Sequence, residues 1–141
     1  MNKDICVRCG EGVVNRIISD EKDAAAFLAE VNGLHDGYVV SVDYQHHGYT
    51  WGNPMYIDPE KTKLVLRVMV TSIHDTLIEM VFEGIKDLQI KNVHCELPDS
   101  SISFTKDGYV TWCGDCSTEP DALCGSNYVV SKLMKWRIDP P

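Results

Sequence analysis

What this sequence lacks narrows its function first. No apolar run approaches the roughly 18 residues that a membrane-spanning helix requires. The opening Met1-Asn2-Lys3-Asp4-Ile5-Cys6 has no apolar core of a secretory signal peptide. The expectation is therefore a bacterial-type cytoplasmic protein with no membrane partner. Positive charge is also scarce, with 13 Lys and Arg against 21 Asp and Glu and a formal charge of -8. Phosphate backbones would be repelled on average, which argues against a nucleic-acid partner. The densest basic group, Lys132, Lys135 and Arg137, falls in a strand-like tail. A basic protein is the partner that this charge favours, and solubility alone is the plainer explanation of it. No phosphate loop, no G-x-G-x-x-G and no G-x-S-x-G occurs. Neither an internal repeat nor a low-complexity linker interrupts the 141 residues, so residues 1–141 read as a single domain.

What is present is one helix and many strands. Asp20 has the character of an N-cap, and Glu21 and Asp23 occupy the first turn, where the helix dipole favours acids. Ala24, Phe27, Leu28 and Val31 repeat at i, i+3, i+4 and i+7, and Asn32-Gly33 supplies a stop, so the spacing predicts a helix over 20–33. An arm, 1–19, precedes it.

The stretch from Leu34 to Tyr44 follows the helix and opens a run of strands. Tyr38, Val40, Val42 and Tyr44 alternate with Val39, Ser41 and Asp43, as do Leu64, Leu66, Val68 and Val70 with their neighbours. Leu77–Glu83 and an alternating run after Gly84 follow, and Lys106-Asp107-Gly108 marks a hairpin. Residues 113–127 read as a loop, and Asn127 to Ile138 as the closing strand. Antiparallel strands are expected over 37–138, with no βαβ alternation to imply a parallel sheet. The fold class is α+β: an N-terminal helix packed on a curved antiparallel sheet or sandwich of about seven strands.

The six cysteines form the sharpest chemical signal. Cys6-Val-Arg-Cys9-Gly10 has the shape of a zinc knuckle, and Cys113-Gly-Asp-Cys116 offers a second pair. Four thiolates could hold one structural zinc and tie the arm to the 113–116 loop. The spacing inside each pair fits, but the pairs lie far beyond the ~12–20 residues of a self-contained zinc module. Unmodified cytosolic thiols are the alternative, and Cys124 or Cys95 could substitute as ligands, although simple burial is the ordinary role for Cys95.

Other polar groups give no coherent catalytic set. Adjacent residues of an extended chain point apart, so His35-Asp36 is expected to fix a turn, with His35 packed beneath the sheet. His94-Cys95-Glu96 lacks a third orienting group. His46 and His47 sit in a polar, turn-rich loop, where exposure is expected. The aromatic group Tyr38, Tyr44, Tyr49, Trp51, Tyr56, Trp112 and Trp136 is expected to be mostly core. If Tyr49, Trp51 and Tyr56 are exposed together, the 46–57 loop becomes the leading partner-binding surface, because aromatics dominate binding hot spots.

Leu34-His35-Asp36 after a helix, the strand to Tyr44, the Leu64–Val70 strand, Ile78–Gly84 and Lys132-Leu133-Met134-Lys135-Trp136 follow a recognisable order. Over residues 20–137 it resembles small uncharacterised bacterial proteins with a helix, a hydrophobic-His-Asp turn and an antiparallel β array. Some of these are grouped with the immunity proteins of polymorphic toxin systems. The resemblance implies no catalytic residues, and the Cys-x-x-Cys pairs are not part of it. The functional expectation is a non-catalytic interaction or immunity-like protein. A structural-zinc-stabilised ligand-binding domain is the alternative, ahead of a small hydrolase or thiol enzyme.

Overall fold

The computed structural model describes residues 15–52, 55–73, 76–91, 93, 95–114 and 127–139. Its elements begin with β1 (Arg16–Ile17), α1 (Glu21–Glu30), β2 (Gly37–His46), β3 (Tyr49–Thr50) and β4 (Tyr56–Ile57). They continue with β5 (Thr62–Val70), β6 (Thr76–Gln89), β7 (Ser101–Phe104), β8 (Val110–Cys113) and β9 (Tyr128–Asp139).

Local sequence explains the helix. The Asp20 carboxylate accepts the Asp23 N–H at 2.8 Å, the bond expected of an N-cap. Asp23 reaches back and accepts both the Ser19 N–H, at 3.1 Å, and the Ser19 hydroxyl, at 2.8 Å. Those two bonds hold its carboxyl below the usual value. Ala24, Phe27 and Val31 are buried, and Phe27 meets the Trp136 ring edge-on at 4.8 Å between centroids.

The chain leaves the helix through Asn32, Gly33 and Leu34, all with left-handed backbone, at φ of 53°, 62° and 56°. A left-handed leucine costs on the order of 1–3 kcal/mol and persists only when its surroundings impose it. Here Leu34 is fully buried, and the Gly33 carbonyl accepts the Ser100 N–H at 2.8 Å. The Ser72 and Thr71 hydroxyls donate to the carbonyls of His35 and Asp36.

Seven strands form one antiparallel sheet in the order β2-β5-β6-β9-β8-β7, with β1 also pairing β9. Sequential hairpins would have placed β7 beside β6. Instead β9 occupies that lane, facing β6 along its whole length. On its other side it pairs β8 through Tyr128–Ser131 and β1 through Lys135 and Trp136. The two apolar runs on either side of Gly84 are one strand, β6. Gly84 lies at φ 69°, where an added Cβ would come within 3.1 Å of the Lys132 Cβ. The pairing with β9 shifts register just beyond, between Ile85 and Asp87, the behaviour of a strand carrying a β-bulge.

Alternation assigns the two faces. Leu64, Leu66, Val68 and Val70 of β5, Ile78, Met80 and Phe82 of β6, and Met134 and Trp136 of β9 build the core with α1. Each large side chain so buried contributes about 2 kcal/mol. The opposite face carries Val65, Arg67, Val81, Glu79, Lys135 and Arg137 in register. Glu79 is buried there between Arg67, at 2.7 Å, and Arg137.

Candidate interaction surface

The β2–β5 ladder does not stop where the sheet does. Beyond the His46–Thr62 pair, the His47 N–H donates to the Lys61 carbonyl at 2.8 Å and the Asp58 N–H donates to the Gly48 carbonyl. Tyr49 then pairs with Ile57, and Thr50 with Tyr56. The result is a two-stranded arm that prolongs one corner of the sheet. Its base is fixed at Thr62, whose buried hydroxyl donates to the Pro59 carbonyl and accepts the Ile85 N–H at 2.7 Å. Gly48 is required at the joint, because a Cβ there would lie 2.3 Å from the Asp58 carbonyl oxygen.

The arm presents aromatic residues to solvent. Tyr49 is 50% exposed, Tyr56 63% and Trp51 84%. Tyr49 stands edge-on to both His46, at 6.2 Å, and Trp51, at 6.1 Å. His46, Tyr49, Trp51, Met55 and Ile57 line a shallow concavity of about 330 Å³, and Tyr56, between Met55 and Ile57 on the strand, is not among its lining residues. Scattered exposed apolar residues are ordinary, whereas these are gathered on one side of the arm. Of the seven aromatics expected to be mostly core, Tyr44, Tyr49, Trp51 and Tyr56 are exposed, and only Trp112 and Trp136 are fully inside. Met55 and Ile57 carried no signal in the sequence, since a two-residue strand is too short to show a period.

The polar candidates are placed differently. His35 does not pack beneath the sheet; it is exposed, with Nδ1 3.0 Å from Asp99 and Nε2 3.5 Å from Asp36. Its left-handed neighbours turn the ring outward from the buried Leu34. The nearby Ser72 hydroxyl donates to the His35 backbone carbonyl rather than to the ring. Cys95 is exposed rather than buried, in the connection that runs outside β2. Beside it, the Tyr38 hydroxyl donates to Glu96 at 2.7 Å, which raises the phenol's pKa. His94 lies outside the described residues.

Of the four cysteines proposed as zinc ligands, Cys6, Cys9 and Cys116 lie outside the described residues. Cys113 is buried at the end of β8, opposite Tyr128. Among the described residues there is no group of three or more His, Cys, Asp or Glu that could hold a metal ion, and no helix is long and apolar enough to cross a membrane.

No protein family, curated protein or solved structure matches this chain.

The site therefore rests on its own geometry. A rigid base, a glycine joint and an apolar tip give the arm the means to bury aromatic surface against another molecule. Among the described residues, the side chains of its concavity are those of His46, Tyr49, Trp51, Met55 and Ile57.

Proposed function

We propose that this protein is a non-catalytic interaction module of the immunity-like kind, which binds a protein partner through its β3–β4 arm. The observation that carries this reading is the shared exposure of Tyr49, Trp51, Met55 and Ile57 around one concavity of the braced arm. Aromatic side chains of this type anchor interfaces, because each buries a large area for few immobilised torsions. The formal charge of -8 favours a basic partner by speeding encounter, while the arm supplies the contact that persists.

The test is affinity capture from the native host with the wild-type chain and the Tyr49→Ala/Trp51→Ala variant in parallel. A specific protein retained by the wild type should be lost by the variant, and the purified pair should weaken on the order of 30-fold or more, as for a hot spot worth about 2 kcal/mol. Its association rate should fall as salt rises. Equal capture by both forms, or no partner at all, would count against the reading.

A further inference from the structure

Besides its backbone bonds, the glycine joint of the arm is closed by a side chain. The Gly48 N–H donates to Nδ1 of the His46 ring at 3.1 Å. A backbone N–H can only donate, so Nδ1 is bare and the ring's proton sits on Nε2. The same ring stands edge-on to Tyr49 at 6.2 Å and forms one wall of the concavity. One imidazole thus serves both the joint and the binding surface.

Both services require a neutral ring. An imidazolium carries a proton on each nitrogen, and the second hydrogen, at Nδ1, would meet the Gly48 N–H head-on. It would also set a cation in a concavity that has no carboxylate among its lining residues, and burying such a charge under a partner is costly. The groups nearby do not offset it. Tyr49 faces the ring from the arm, and Thr62 is its partner on β5. Asp58 and Lys61 approach Gly48 from the opposite strand, one charge of each sign, and the Asp58 carboxylate accepts the Glu60 N–H at 3.0 Å. The Glu60 carboxylate pairs with Lys132. Asp43 and His47 alternate to the other face of β2, where His47 lines a separate recess with Glu60, Lys61, Lys63 and Glu83.

We propose that His46 is a pH-sensitive latch on the arm: the neutral ring holds the joint closed and its wall of the concavity uncharged, and protonation at Nδ1 releases the Gly48 N–H and charges that wall. Histidine is the side chain whose charge ordinarily changes between about pH 5 and 8. Beyond the joint the arm is held by the pairs Tyr49–Ile57 and Thr50–Tyr56 alone, and a two-stranded ribbon so short depends on its base. Loosening at Gly48 therefore reaches the side chains of the tip. The change at the joint stands on the His46–Gly48 bond. Its consequence for binding, weaker capture in acid, rests on the reading of the arm as an interaction surface.

Amide hydrogen exchange on the purified full chain, with no partner present, tests the latch. Once the intrinsic pH dependence of exchange is divided out, protection at Gly48 and Asp58 should fall about tenfold from about pH 8 to about pH 5, with β6 unchanged. In His46→Asn an amide oxygen takes the place of Nδ1 and cannot gain a charge, so protection should stay level. His47→Asn should behave as the wild type does. As a second measurement that needs no variant, the ring nitrogen resonances of His46 at the alkaline end should show Nδ1 bare and Nε2 protonated. Level protection in the wild type, a fall shared equally by β6, a fall that persists in His46→Asn, or a proton on Nδ1 at the alkaline end would each overturn the proposal. Failure to capture a partner would count against the interaction surface and would leave these readings of the latch unaltered.

Discussion

Arg67 on β5 and Glu79 on β6 face each other across the sheet, with Nη2 2.7 Å from Oε1, and Arg137 on β9 approaches the second oxygen of the same carboxylate. Three adjacent strands are thus tied through one buried anion. Removing the anion leaves two guanidinium groups beside each other, so Glu79→Ala should cost about 3 kcal/mol in urea denaturation at neutral pH. Arg67→Ala should cost less, because that side chain is 35% exposed and part of its charge is already solvated.

Helix stability should carry an acid-sensitive component. Asp23 is held below its ordinary value of 3.8 by the Ser19 bonds. A depressed folded value means that its contribution is complete above the unfolded value and fades as pH falls through the folded one. The melting-temperature gap between wild type and Asp23→Asn should therefore be constant near neutrality and close below pH 3.8. Thermal melts across an acid series would measure it.

Both devices bear on how far the sequence could be read. The Asp20 cap, the Ala24–Val31 stripe and the Asp107-Gly108 hairpin are encoded by neighbours in the chain, so their pattern is sufficient. Glu79 was hidden inside an apolar strand, since nothing local tells that Arg137 will come to lie beside it. Tyr44 shows the other limit. Alternation assigns it to the face of Leu64, its partner on β5, but does not say whether that face is covered at the sheet's edge. The arm was legible as an aromatic, turn-rich stretch, and its exposure followed only from pairing across Asp58–Lys61.

The arm's joint should tolerate no side chain. Gly48→Ala places a methyl group 2.3 Å from the Asp58 carbonyl oxygen, against backbone rather than a movable side chain. Overpacking of this kind costs about 2 kcal/mol. The expected result is local: hydrogen exchange should accelerate at His47 and Asp58, whose N–H bonds close the joint, and change little in β6.

Thiol chemistry should separate two cysteines. Cys95 is exposed and Cys113 is buried on β8. Maleimide labelling of the native protein, followed by peptide mapping, should modify Cys95 early. Cys113 should react only as fast as its strand opens, and at once in denaturant.

Finally, β9 pairs with β6, β8 and β1, and every one of them precedes it in the chain. During synthesis, β6 and β8 must wait with bare flanks until residues 128–139 emerge from the ribosome. The sheet cannot be completed strand by strand. A nascent chain stalled before Tyr128 could pair β6, the longest strand among the described residues, with β5 alone, and would display its other flank to any chaperone within reach.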